Sequence, residues 1–205
     1  MGVIRMNRIM EWIKSNLVCV LLVILFIPLF IVTTANPHIF NTLSSTDLKY
    51  LDNEYYRWIT AIFIHHSFGH IFFNSLALIS IGSLISPFIG KWKTLLIFTL
   101  GGVLAEAAYS IVVNFAFPIY DGGSSGGIFA LMGCFMVCYL RFPKKFNLKW
   151  FRLDVIIAFL YFILVNDNVS SFLTHTFGFV FGIIITFLMV ISGLIDEKQG
   201  TLISE

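Results

Sequence analysis

Residues 121–133, DGGSSGGIFALMG, set two serines, Ser124 and Ser125, between paired glycines at the mouth of an apolar run that continues to Leu140. A serine hydroxyl becomes a nucleophile when a base lies within hydrogen-bond reach. Two further stretches carry imidazoles. HHSFGHIFFN at 65–74 places His70 and Asn74 four residues apart, on one face of a helix. HTFGFVFG at 175–182 places His175, Gly178 and Gly182 at i, i+3 and i+7, also on one face. Together these groups have the makings of an acyl-transfer centre. His175 is the candidate base, and His70, Asn74 and the Ser125 backbone N–H are candidate donors to a developing oxyanion. Taken singly, each has a plainer reading: an interhelical hydrogen bond for a His or Asn, an ordinary turn for the glycines.

Those residues need elements that bring them to one place. The chain has 205 residues, 58% hydrophobic and 12% charged, where a soluble domain carries about 25% charged. About 20 apolar residues cross a bilayer as a helix, and six such spans are expected: about 15–34, 66–89, 94–117, 125–140, 154–165 and 169–195. Residues 58–65 read as a loop or dipping segment ahead of the second span. The first span exceeds the apolar core of a signal peptide and is expected to be an uncleaved anchor. With no separate polar block, the chain divides into an N-terminal segment (1–14), one six-span body (15–195) and a C-terminal tail (196–205).

Charge sets the orientation. If six spans alternate, Arg5, Arg8, Lys14, Lys91, Lys93, Arg141, Lys144, Lys145, Lys149, Arg152 and Lys198 fall on one side, eleven of the thirteen basic residues; Lys49 and Arg57 fall on the other. By the positive-inside rule both termini are expected in the cytoplasm. The formal charge of +2 gives no reason to expect a nucleic-acid partner. Cys19, Cys134 and Cys138 sit in apolar runs without metal-ligand spacing and read as buried hydrophobes.

The fourth span is short, about 24 Å at 1.5 Å per residue against a hydrocarbon core of about 30 Å. Its serines should therefore lie below the external surface, at the floor of a wet cavity, because irregular backbone at that depth is tolerated only there or inside protein. His70, Asn74 and His175 sit near the external ends of their spans. The small-xxx-small pair Gly178 and Gly182 lets a second backbone approach closely. Gly126, Gly127 and Gly133 are candidate matching surfaces, a contact that would carry His175 toward Ser125. Two G-x-S-x-G matches occur, but that elbow needs a strand of a soluble sheet, and nothing here reads as one. No phosphate loop or HExxH occurs.

RWITAIFIHHSFGHIFFN, GSSGGIFALMG and HTFGFVFG, in that order, resemble the rhomboid intramembrane serine proteases, and the resemblance covers nearly the whole chain. It implies a six-helix bundle with a Ser–His dyad. Ser125, the serine of GxSG (Gly123 to Gly126), matches the nucleophile; His175 the base; His70 and Asn74 the oxyanion pair; and Phe129 the aromatic residue packed on the catalytic histidine. It further implies cleavage in or near transmembrane segments of membrane proteins, at an active site opening externally from a cell membrane, with no metal or organic cofactor. Two departures stand out. Tyr56-Arg57 replaces the usual Trp-Arg, and LISPFIG lacks the Glu that many bacterial members carry near the end of span two. Glu106 in span three is instead expected to hydrogen-bond a neighbouring span while protonated, in a structural role. The alternative is an inactive rhomboid-like protein that binds transmembrane clients.

Overall fold

The computed structural model describes residues 10–146 and 169–197. Among them the fold is helical, with an isolated antiparallel bridge between Ser45 and Asp121. We number the helices α1 (Leu17–Ala35), α2 (Pro37–Leu43), α3 (Arg57–Thr60), α4 (Phe68–Ile89), α5 (Lys91–Val112), α6 (Ser125–Arg141) and α7 (Val169–Ile191). Four of these, α1, α4, α5 and α7, are long and apolar enough to cross a membrane; α6 is a shorter apolar helix of 17 residues. The expected fifth span, 154–165, lies outside the described residues, as do 1–9 of the N-terminal segment and 198–205 of the tail.

Local chemistry sets the boundaries. Asn36 leaves helical geometry after α1, and its side chain accepts from the His38 N–H while Pro37 opens α2. Such a pair stops one helix and starts another, since Pro suits the first helical position. Ser67 caps α4 by accepting from the His70 N–H at 3.2 Å. That cap starts the second span at Phe68 rather than at His66. Gly90, at φ 87°, ends α4 and turns directly into α5, a conformation that favours glycine. The third span ends at Val112, five residues before the expected Phe117. There Asp47 accepts the Phe115 N–H at 2.9 Å and Lys49 donates to Asn114 at 2.8 Å. Pro118 also disfavours helix at the residue before it.

The centre of the bundle is α6, packed between α5 and α7. A methyl built on Gly178 would overlap the Gly126 carbonyl, and one on Gly182 the Ala130 carbonyl. Gly133 meets the backbone of α7 at Phe179 and Ile183. Gly127, the other expected partner of α7, instead faces Phe98 and Gly102 of α5. One residue is a 100° turn of the helix, so Gly126 and Gly127 serve different neighbours. Outward-facing apolar side chains are numerous: Leu21, Ile24, Ile27 and Ile31 on α1, and Phe68, Phe72, Phe73 and Leu76 on α4. An apolar surface this extensive suits lipid and would aggregate in water.

Residues 58–65 form the short helix α3 and a 3-10 turn at Ala61–Phe63. Arg57 pairs with Glu54 and donates to the Asn41 carbonyl at 2.5 Å. Trp58 Nε1 donates to Ser110 of α5 at 3.1 Å. Tyr56 stays 41% exposed with its hydroxyl donating to the Thr42 carbonyl at 3.4 Å, and Thr60 donates to the Leu43 carbonyl at 2.7 Å. Glu106 is buried on α5. On the same helix Ser110 holds Ser45, of the segment between α2 and α3, at 3.1 Å between hydroxyls.

Candidate active site

The segment leading to Ser125 is held by backbone bonds on both sides. Asp121 exchanges N–H···O bonds with Ser45 at 2.8 and 3.0 Å. Gly122 donates to the Asp121 carboxylate at 2.7 Å, and Gly123 donates to the Ala61 carbonyl at 2.9 Å. Ser124 is the N-cap position of α6, and Ser125 its first residue. The first N–H groups of a helix have no partner inside it, and they point with the positive end of the helix dipole. That is the arrangement wanted beside a developing negative charge.

The two serines differ. Ser124 is fully buried and its hydroxyl lies 3.2 Å from His65 Nε2. Ser125 retains 7% exposure. His65 was not singled out by the sequence reading. The sequence carries a signal for it: His65 ends the apolar run ITAIFIH, and a histidine buried there must find a polar partner or cost free energy. Burial, reinforced by the neighbouring His70 and His66, pushes the His65 imidazole down to about 3. It is therefore neutral, with one nitrogen to donate and one to accept. Its ring also packs 4.9 Å from Phe26, which ties α1 to the site.

His70 and Asn74 stand one turn apart at the start of α4, beside the glycine that precedes the serines. A methyl built on Gly123 would lie 2.6 Å from His70 Cε1, 2.8 Å from Nε2 and 3.7 Å from Asn74 Nδ2. Any side chain at 123 would displace the His70 ring. Asn74 is fully buried.

His175 reaches the same turn from α7. Its ring stacks on Phe129 with centroids 4.3 Å apart and planes 15° from parallel. Phe129 is one turn after Ser125. Thr174 and Gly178, which bracket His175, both lie against Gly126, the residue after Ser125. The structure therefore brings Ser125, His70, Asn74, Phe129 and His175 around residues 123–129. Gly123, Gly126, Gly178 and Gly182 are the close contacts that permit it. Asp167, the acid nearest His175 in sequence, lies outside the described residues.

A buried imidazole, a serine at a helix N-terminus and a polar pair across the entry glycine form a constellation suited to nucleophilic acyl transfer. Comparison with known proteins agrees in kind. A family model described as the Rhomboid domain matches residues 52–192. The Bacillus subtilis (strain 168) protein named "Putative rhomboid protease YdcA" is 25% identical over 157 residues, 73% of this chain and 75% of that protein. "Rhomboid protease GluP" of the same organism is 33% identical over 94 residues, 45% of this chain and 18% of that protein.

Proposed function

This chain belongs to the rhomboid family, a family of intramembrane serine proteases, and on that premise we propose that it is an endopeptidase that cleaves transmembrane segments of membrane proteins through Ser125 and His175. It is an integral membrane protein, and in this reading its site opens to the external side of the cell membrane. His175 takes the Ser125 proton as the hydroxyl attacks the peptide carbonyl. His70, Asn74 and the Ser125 N–H stabilise the oxyanion. His175 then protonates the leaving amine, and water releases the acyl group from Ser125.

The observation that carries the reading is the seating of His175 on Phe129, with its neighbours Thr174 and Gly178 against Gly126. It supports an imidazole held rigidly at the turn that Ser125 opens, and rigid placement is what makes a bound base effective. The test is cleavage of a transmembrane reporter in proteoliposomes. Wild type should cut it, and Ser125→Ala and His175→Ala should each reduce cleavage to background. Cleavage that persists in Ser125→Ala sinks the proposal.

A further inference from the structure

Ser124 stands at the N-cap of α6 and does not cap it. A serine there ordinarily has extended backbone, and its hydroxyl accepts from the second or third N–H of the helix, which in α6 are those of Gly126 and Gly127. Ser124 instead has φ −73° and ψ −2°, with no side-chain cap bond. Its hydroxyl is turned to His65 Nε2 at 3.2 Å. Capping is favourable in its own right, so a serine that forgoes it is held by something else.

His65 is placed to do the holding. It is 1% exposed, and its ring packs on Phe26 of α1 with centroids 4.9 Å apart and meets the His70 ring edge-on at 5.1 Å. Its Nδ1 is buried with no partner among the described residues, so the bond to Ser124 is the one polar bond of the ring there. One short segment thus grips two successive residues of the turn. The Ala61 carbonyl takes the Gly123 N–H at 2.9 Å, and His65 takes the Ser124 side chain. Glycines at 122, 123, 126 and 127 flank the two serines, and glycine backbone offers little restraint of its own.

The peptide between Ser124 and Ser125 is planar, so ψ of Ser124 sets how the Ser125 N–H stands relative to Gly123, and hence to His70 and Asn74 beside it. Moving ψ from −2° to the extended value of a capping residue would turn one side of that joint against the other by roughly 135°. We propose that His65 is a positioning residue: by holding the Ser124 hydroxyl it keeps Ser124 out of the capping conformation and so aligns the Ser125 N–H with the His70–Asn74 pair. The effect on catalysis rests on the protease reading above; the conformation of Ser124 does not.

Two measurements separate them. In a crystal structure of His65→Phe, which keeps a ring and loses the bond, Ser124 should take an extended ψ with its hydroxyl accepting from Gly126 or Gly127. Ser124 left near ψ −2° in that variant overturns the proposal whether or not the protein cleaves anything. In the reporter assay, His65→Phe should lower kcat by on the order of tenfold with KM little changed, well short of the ~100- to 1000-fold lost with an oxyanion donor itself. His65→Gln, whose amide reaches where Nε2 stood, should keep kcat near wild type. In a Ser124→Ala background, where no hydroxyl remains to be held or to cap, His65→Phe should cost nothing further. Equal kcat in wild type and His65→Phe, a loss that Gln does not spare, or the same loss in both backgrounds overturns the proposal. Should His65→Phe fail to fold, His65→Asn, too short to reach Ser124, replaces it in both measurements. A wild type that cleaves nothing counts against the protease reading, and the Ser124 conformation then decides the inference alone.

Discussion

Ser124 and Ser125 are neighbours with different chemistry available to them. Ser124 is fully buried and engaged with His65, whereas Ser125 opens α6 one turn before the ring on which His175 stacks. The same contrast separates the histidines: His65 is spent on packing and on Ser124, and His70 has an edge turned to the entry glycine. Asn74 is the residue whose role is most exposed to test. Removal of one oxyanion donor typically costs about 100- to 1000-fold in turnover, so Asn74→Ala should lower kcat on the transmembrane reporter by that order. Undiminished turnover would take Asn74 out of the mechanism and leave it as an interhelical contact.

At the level of the elements, function depends on two backbones lying almost against each other. Gly178 and Gly182 of α7 meet the Gly126 and Ala130 carbonyls of α6, and His175 is carried on the same face of α7. A Gly182→Val side chain would have to push the helices apart. Overpacking of this kind costs about 1–3 kcal/mol, so the variant should show a lower Tm in detergent and slower cleavage together. Gly69→Ala, with open space around position 69, should leave Tm nearly unchanged. Equal Tm values for wild type and Gly182→Val would show that this contact does not hold the site.

Much of this packing was legible in the sequence. The i, i+3, i+7 spacing of His175, Gly178 and Gly182 survives folding unchanged, and so does the one-turn spacing of His70 and Asn74. Contacts between distant segments were not legible. Ser45 bonds Ser110 of α5, and the partners that end α5 at Val112 are Asp47 and Lys49. All three belong to the segment between α2 and α3, whose path over α5 follows from tertiary packing that no periodicity encodes. The bond from His65 to Ser124 spans 59 residues and was hidden for the same reason, although a histidine within the apolar run ITAIFIH gave a hint. Gly127, a candidate surface for α7, faces α5 instead, because consecutive helical residues point about 100° apart.

For the whole molecule, the exposed apolar faces of α1 and α4 make lipid the natural surroundings. From basic-residue placement we propose that the loop between α1 and α4 lies outside. The three native cysteines are buried, so single surface cysteines report sidedness cleanly. A membrane-impermeant maleimide should label Asn53→Cys in intact cells and Lys144→Cys only after permeabilisation; the reverse pattern would invert the topology. The central claim, an activated serine at position 125, is tested most directly by fluorophosphonate labelling of the purified protein with the modified residue mapped by mass spectrometry. The account predicts modification at Ser125 in wild type and in Ser124→Ala, and none in Ser125→Ala or His175→Ala. Folded wild-type protein that takes no label, or takes it at Ser124, would contradict the account; no label at all would favour a rhomboid-like protein that binds transmembrane clients without cutting them.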